Sequence, residues 1–599
     1  MASENQSREY GPWNPGIEST LPSAFLPLST VFRSENVSST LDEVRELSDF
    51  SGMAIELLST FRAERLTLHE VLIRVMADLT VPDGERYEDL GINFRQMTAV
   101  ILEKHISPRM SEIHRAFEQL KRDASAFIDK AQISAPSSVH SLAGRADAGW
   151  HWSKLLRPGR MRPHTKLSAE PPEAQDLRAI AGWRTKAQAI DHPFERACFQ
   201  ALVKTADAIF NRHGRLFGDR SLITSLATRL VCNDYGSLMI GQLIDPHFDE
   251  AVLREGYQWL PAQEHPIVMN VKGASASGKS TMRPLQKALA SRLGIQWAEF
   301  ALISPDIWRK FLLDYASLGP AQRYAGTLTG HEIRIIDEKL DLYMSRKAKA
   351  GRMSHLLIDR FRFDSFAQEP DEEDGSRLLT RFGDQIYMFF MITPPEATVE
   401  RAWKRGEEFG RYKAVDDLLA HNVEAYTGIP GLFFTWALRA DKRVHFEFLD
   451  NSVTEGQRPR TVAFGLNGRM NILDIKCLLD VDRYRNINIE ARSPEAVYAA
   501  PSSMTTASNG EFLKQCVRRI PSIDFVYYRT GQIYARVESG KLIWWNRDIF
   551  EQAVPSPDVR AAFEAIVIPL RGASLGSRGF PDRLDHREMV TLGQWGGEG

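Results

Sequence analysis

Between residues 265 and 455 short apolar runs alternate with longer amphipathic stretches. The runs 267–271, 298–303, 355–358, 385–392 and 444–449 are four to eight residues long and hydrophobic almost throughout, YMFFMI at 387–392 being the clearest. Strands covered by helices on both faces are continuously apolar rather than alternating. This stretch therefore predicts an α/β core, a parallel sheet with crossover helices, over 261–455.

Upstream the period changes. Met110, Ile113, Phe117, Leu120, Ala124 and Phe127 recur at steps of three and four, which is one face of an amphipathic helix whose expected role is core packing. Residues 39–131 and 176–260 read as helical regions, the second through segments such as ERACFQALVKTADAIF. Residues 132–175 between them are loaded with Pro, Gly, Ser and basic side chains, which is linker chemistry. Arg157, Arg160, Arg162 and Lys166, near Trp150 and Trp152, are residue types that also touch nucleic acid, but a solvated linker is the expected reading. Residues 1–38 show no lasting periodicity and read as a disordered tail.

After the predicted core, FVYYRTGQIYARVESGKLIWW alternates around turns at Thr530-Gly531 and Ser539-Gly540. A small mixed α/β appendage is expected over 456–580, followed by a polar tail over 581–599. The acidic and imidazole groups of LIDPHFDE (Asp245, His247, Asp249, Glu250) follow no metal-ligand spacing and read as a solvated loop.

Composition narrows the class. A length of 599 residues gives roughly three or four domains. The 75 Lys plus Arg balance 77 Asp plus Glu, so no global field points to nucleic acid. Four cysteines (Cys198, Cys232, Cys477, Cys516) lie far apart, which argues against a disulfide framework or a cysteine zinc site and fits a reducing, cytoplasmic compartment. No apolar run approaches the ~20 residues of a membrane span, so no membrane partner is expected. The front of the chain lacks a basic segment followed by an apolar core, as a secretory signal peptide would have. Its composition is one that export signals of injected effectors share.

The chemistry centres on GASASGKST, which follows the first apolar run and precedes a helical segment. Gly273, Gly278, Lys279 and Ser280 match G-x-x-x-x-G-K-[ST], a phosphate-binding loop. Backbone N–H groups of Gly273, Ala274, Ser275, Ala276, Ser277 and Gly278 would wrap a polyphosphate, with glycines where a Cβ would block its approach. Lys279 would reach between the β- and γ-phosphates, Ser280 would bind Mg²⁺, and Thr281 would help cap the helix.

Ligands of an open parallel sheet sit at the carboxyl ends of its strands, so the residues just after each run matter next. Asp306 follows the second run and is placed to accept a proton from an attacking hydroxyl. The competing reading is a cap for the helix in IWRKFLLDY. Asp359 follows the third run, where the outer ligand of Mg²⁺ is expected. Arg360 and Arg362 are phosphate contacts or surface charge. After the fourth run, Arg401 and Arg405 share a helix face, and Gly406 and Gly410 bracket a bend leading to Arg411. That segment reads as an arginine-bearing lid, against a solvated basic helix.

Together these residues resemble the zeta-toxin-like branch of P-loop kinases, through GASASGKST, Asp306 and the arginines of ERAWKRGEEFGR. Within it the chain looks most like the type III effectors of plant-pathogenic bacteria that phosphorylate NAD on a ribose 3′-hydroxyl. The 26-residue step from Ser280 to Asp306 and the block FGLNGRMNILDIKCLLDVDRYR carry that likeness. The resemblance implies ATP with Mg²⁺, Lys279, Asp306, Arg405 and Arg411 as the catalytic set, and a small-molecule acceptor, NAD foremost. It places Tyr324, His331 and Glu332 of QRYAGTLTGHEIRII beside the acceptor, and it implies a cognate antitoxin or chaperone. A kinase of a nucleotide sugar, UDP-N-acetylglucosamine, is the alternative within the branch. A nucleotide-dependent switch with a helical partner-binding region is the alternative outside it, and a nucleic-acid-directed ATPase is disfavoured by the balanced charge.

Overall fold

The computed structural model of the chain describes residues 10–86, 88–134, 171–360, 379–498, 509–567, 569, 583–584 and 590–596. The chain divides into two compact units. One comprises Ala24–Ile73 and Met97–Gly256, the other Met1–Ser23, Arg74–Gln96 and Tyr257–Gly599.

The first unit is helical, for the reason its period indicates. The helix Met110–Ile133 buries Ile113, Phe117, Leu120, Ala124 and Ile128, one stripe three and four residues apart. Phe127, at the edge of the stripe, stands edge-on to Phe194 and Phe199 of the helix Pro193–His213. The helix Leu41–Ser51 starts on a capping box between Thr40 and Glu43 and stops at Gly52 in the left-handed region. LIDPHFDE is not a loop: it lies inside the helix Tyr235–Glu255, which accommodates Pro246. Among the described residues no group of three His, Cys, Asp or Glu side chains is arranged to hold a metal ion.

One other expectation fails here, and another is trimmed at its described ends. The expected disordered tail is ordered from residue 10 onward, with Val31 and Val37 fully buried and Asn36 bonded to the Thr30 carbonyl. The expected linker is helical at both ends, in Met110–Ile133 and Pro172–Ala189. Its aromatic and basic residues, Trp150, Trp152, Arg157, Arg160, Arg162 and Lys166, lie outside the described residues, as does Arg362.

The second unit is α/β and is built on one sheet of ten strands. These are β1 (Ile267–Lys272), β2 (Phe300–Ile303), β3 (His355–Ile358), β4 (Gln385–Ile392), β5 (Arg443–Asp450), β6 (Arg460–Leu466), β7 (Arg469–Ile472), β8 (Ser522–Val526), β9 (Ile533–Glu538) and β10 (Lys541–Trp545). Their order is β10-β9-β8-β7-β6-β5-β4-β1-β3-β2. β1 to β5 pair in parallel, whereas β6 pairs antiparallel with β5 and extends the sheet. The residues expected as a separate appendage thus contribute five more strands to the same sheet. The final residues also belong to it: Leu592 and Trp595 are buried, and residues 592 and 593 donate their N–H groups to Glu447 on β5.

YMFFMI explains the two-sided core. Met388, Phe390 and Ile392 face a cluster with Phe433, Phe446, Phe448 and Phe512, while Tyr387, Phe389 and Met391 face Met269, Val271, Leu302 and Leu357. Period-two alternation with apolar residues on both sides is what a sheet sandwiched between helices requires. Each such side chain stabilises the fold by about 1.5–3 kcal/mol through burial alone. Among the described residues no helix is long and apolar enough to cross a membrane.

Candidate functional site

β1 is flanked by β3 on one side and β4 on the other, so the chain order reverses at its carboxyl end. A crevice forms at such a switch point. The 273–281 loop leaves β1 there and enters a 3-10 turn, Lys279–Met282, before the helix Arg283–Arg292.

Two glycines in the loop have identifiable reasons. A Cβ on Gly273 would stand 2.8 Å from the Met391 Cβ and 3.1 Å from the Met391 carbonyl, because β4 runs alongside. Gly278 sits at φ +94°, and its Cβ would meet the Asn451 amide nitrogen at 2.2 Å. Ala276 also has positive φ, at 60°. The Ser277 carbonyl accepts from Thr393 Oγ1 at 3.0 Å and Asn451 Nδ2 at 2.8 Å, with Arg401 at 3.5 Å. These donors, two of them just past β4 and β5, fix the outer side of the loop. Arg401 therefore faces the back of the loop and the Asn451 carbonyl, 2.7 Å away.

On the crevice side the Lys279 ammonium donates to the Gly273 and Ala274 carbonyls, at 3.0 and 2.8 Å. Partial burial pushes its pKa down to about 8, against the pull of Asp359 and Asp306 and with help from Arg405. The Ser280 hydroxyl donates to Asp359 Oδ2 at 2.8 Å. Thr281 Oγ1 donates to the Gly278 carbonyl at 2.7 Å and holds the first turn.

Asp306 lies in the 3-10 turn Pro305–Trp308, whose N-cap residue is Ser304. Its side chain is half exposed to the crevice, yet Arg309 Nε reaches Oδ1 at 2.9 Å and Arg411 reaches Oδ2 at 2.7 Å. Desolvation alone would raise this carboxyl; Arg411, Arg309 and Arg405 hold it well below the usual carboxylate range. Arg309 is anchored in turn by the Gly326 carbonyl and Thr329 Oγ1, at 2.6 and 2.8 Å. Lys413, paired with Asp417 at 3.3 Å and with His421, adds a further cation; partial burial brings its pKa down to about 8, opposed by Asp417.

Several predicted positions take other places. Arg360 is neither a phosphate contact nor surface charge: it is buried between Asp337 (2.9 Å) and Asp341 (2.8 Å) of the helix Gly330–Lys349. Gly406 is not in a mobile bend; it is buried in the helix Pro395–Phe409, where a Cβ would strike the Tyr412 ring at 2.4 Å. The turn begins at Gly410, φ +70°. Tyr324 accepts from the Glu18 N–H at 3.3 Å, His331 is exposed beside Arg334, and Glu332 is fully buried. Arg309, Thr393, Asn451 and Lys413 were missed. Thr393 and Asn451 follow apolar runs, so the rule that found Asp306 and Asp359 also reaches them.

No protein-family model, curated protein or solved structure matches the chain. The fold class is α/β, and the site is a crevice at a strand-order reversal lined by Lys279, Lys413, several arginines and the carboxylates of Asp306 and Asp359.

Proposed function

We infer that the chain is an ATP-dependent kinase that transfers the γ-phosphoryl group to a hydroxyl of a small acceptor, with the 273–281 segment as its phosphate-binding loop. One observation carries this reading: Lys279 donates to carbonyls of its own loop and Arg411 pairs with a carboxylate open to the crevice, both groups that a nucleotide phosphate can replace, beside the Ser280–Asp359 pair. When ATP enters, Lys279 exchanges the loop carbonyls for the β- and γ-phosphates, as charge-assisted bonds to phosphate are the stronger ones. Arg411 exchanges Asp306 for the transferred group, and Arg405 neutralises charge beside it.

Released from Arg411, Asp306 regains basicity. The acceptor oxygen attacks the γ-phosphorus, the bond to the β–γ bridging oxygen breaks, ADP leaves and the hydroxyl proton passes to Asp306. Ser280 and Asp359 are an oxygen-only donor pair that fits Mg²⁺ arriving with the nucleotide; when bound, the ion supplies neutralisation of phosphate charge. The ribose 3′-hydroxyl of NAD is the acceptor put forward, on the resemblance of GASASGKST, Asp306 and ERAWKRGEEFGR to effector kinases of that activity.

The test incubates the full chain with ATP, Mg²⁺ and either NAD or UDP-N-acetylglucosamine and reads products by mass spectrometry. NAD heavier by one phosphoryl group is the expected result. Modification of the sugar nucleotide alone sinks NAD and keeps the kinase. ATP hydrolysis with neither acceptor modified overturns the kinase in favour of a switch.

A further inference from the structure

Residues 10–19 are a built strap across one side of the crevice. Gly11 and Asn14 exchange backbone hydrogen bonds at 3.0 Å, closing a tight turn. Gly16 sits at φ +74°, with the Tyr10 ring where a Cβ would stand, 2.3 Å away. The strap is tied down by the Pro15 carbonyl accepting from Arg323, the Glu18 N–H donating to Tyr324, and Ser19 Oγ donating to Asp416 Oδ2 at 2.6 Å.

The strap carries Tyr10 onto Arg323. The guanidinium lies 4.0 Å from the Tyr10 ring, 4.7 Å from Tyr412 and 5.9 Å from Trp403, and the last two rings are 5.5 Å apart. A planar cation among aromatic faces is how proteins stack nucleobases. This stack adjoins the reacting groups: Tyr412 follows Arg411, which pairs with Asp306, and Arg323 lies three residues before Gly326, whose carbonyl anchors Arg309. Tyr10 is 47% exposed, so a competing ring can displace it without breaking the core.

The geometry points to Arg323, Tyr412 and Trp403 as the stacking site for a planar heteroaromatic ring of the acceptor, filled in the resting chain by Tyr10 as an internal stand-in. The assignment rests on the kinase reading for the word acceptor, but ring binding is measurable without transfer.

Calorimetric titration of the full-length protein with NAD, and separately with UDP-N-acetylglucosamine, tests this without ATP. Tyr10→Ala tightens binding roughly five-fold, the factor of one exposed cation–π contact. Gly16→Ala, which pushes the ring aside without deleting it, shifts affinity in the same direction. Arg323→Met weakens binding and abolishes the gain in the double variant. The site is overturned if Tyr10→Ala leaves affinity unchanged or lowers it, if the gain survives Arg323→Met, or if neither probe binds. A Tyr10→Ala gain without phosphoryl transfer keeps the stacking site and sinks the kinase; transfer without the gain does the reverse.

Discussion

The two halves of the ten-stranded sheet carry similar charged residues and settle them differently. In the half formed by β6–β10, opposite charges close on each other: Asp524 on β8 and Arg536 on β9 are register partners across the ladder, bonded at 2.5 and 2.7 Å with both side chains 14% exposed. In the half formed by β1–β5, the charges at the carboxyl ends rest on stand-ins: Lys279 on carbonyls of its own loop, Arg411 on a half-exposed carboxylate. Pairing as such does not separate structure from function. What separates them is whether the partner is a group that a ligand can replace.

The largest expected effect breaks the open half. Asp306→Asn keeps the shape of the carboxylate and removes the base, so transfer falls by ~10²–10⁴-fold while ATP binding persists. Single-turnover kinetics alongside nucleotide titration checks both arms. Loss of ATP binding with it would make Asp306 a structural partner of Arg309 and Arg411 instead.

Next comes Arg360, which shows that neighbouring residues at one strand end can fall on opposite sides of the comparison. Asp359 bonds the Ser280 hydroxyl, whereas Arg360 is buried between two carboxylates that are themselves 10% and 15% exposed. Arg360→Met leaves both carboxylates without that guanidinium and costs about 3–5 kcal/mol of stability. Urea unfolding measures it. A loss well under 1 kcal/mol would place Arg360 with the open groups.

How much of this was legible follows from what the sequence signals encode. The five parallel strands were readable because burial on both faces keeps each run mostly apolar, with only single polar residues such as Asn270 and Glu447 inside. Asp306 and Asp359 were readable because they stand directly after such runs. Arg309 was not: one turn past Asp306, it is an ordinary helical arginine until the fold brings Gly326 and Thr329 to it. The segments at both ends were misread because their anchors are few and irregularly spaced, Trp13 against Val399, Ala402 and Leu418, the short stretch around Val31 and Val37, and Leu592 and Trp595 among polar neighbours in sequence. Isolated anchors leave no period to detect. The sheet's second half looked separate because antiparallel β6 changes the alternation just where β5 ends.

Glu447 tests the seam between the halves. It lies on β5, buried, and accepts from the 592 and 593 N–H groups at 2.7 and 2.9 Å and from Thr461 Oγ1 at 2.8 Å. Desolvation outweighs those donors and pushes its carboxyl up to about 7 from 4.5. The folded state therefore holds more protons than the unfolded state between these values, so stability falls as pH rises through that window, by at most ~3 kcal/mol. Glu447→Gln removes the titration, and its unfolding midpoint stays flat from pH 4.5 to 7 in this respect. A wild-type chain whose stability rises through the window would mean that the three donors dominate and the carboxylate is charged.

The smallest effect sharpens the opening contrast most directly, because it applies one substitution to both kinds of ion pair. Arg536→Met breaks the cross-strand pair with Asp524 and costs about 1 kcal/mol, with ATP affinity and transfer unchanged, since β8 and β9 lie far along the sheet from β1. Arg411→Met breaks a pair of similar length, 2.7 Å, but leaves Asp306 with solvent and Arg309. Its unfolding midpoint should move less than that of Arg536→Met, while transfer drops and the acid limb of the rate profile shifts to higher pH as the Asp306 carboxyl loses its strongest neighbouring cation. If both variants lose stability equally and neither alters the pH profile, the crevice pair is as closed as the ladder pair, and the distinction between replaceable and locked partners fails.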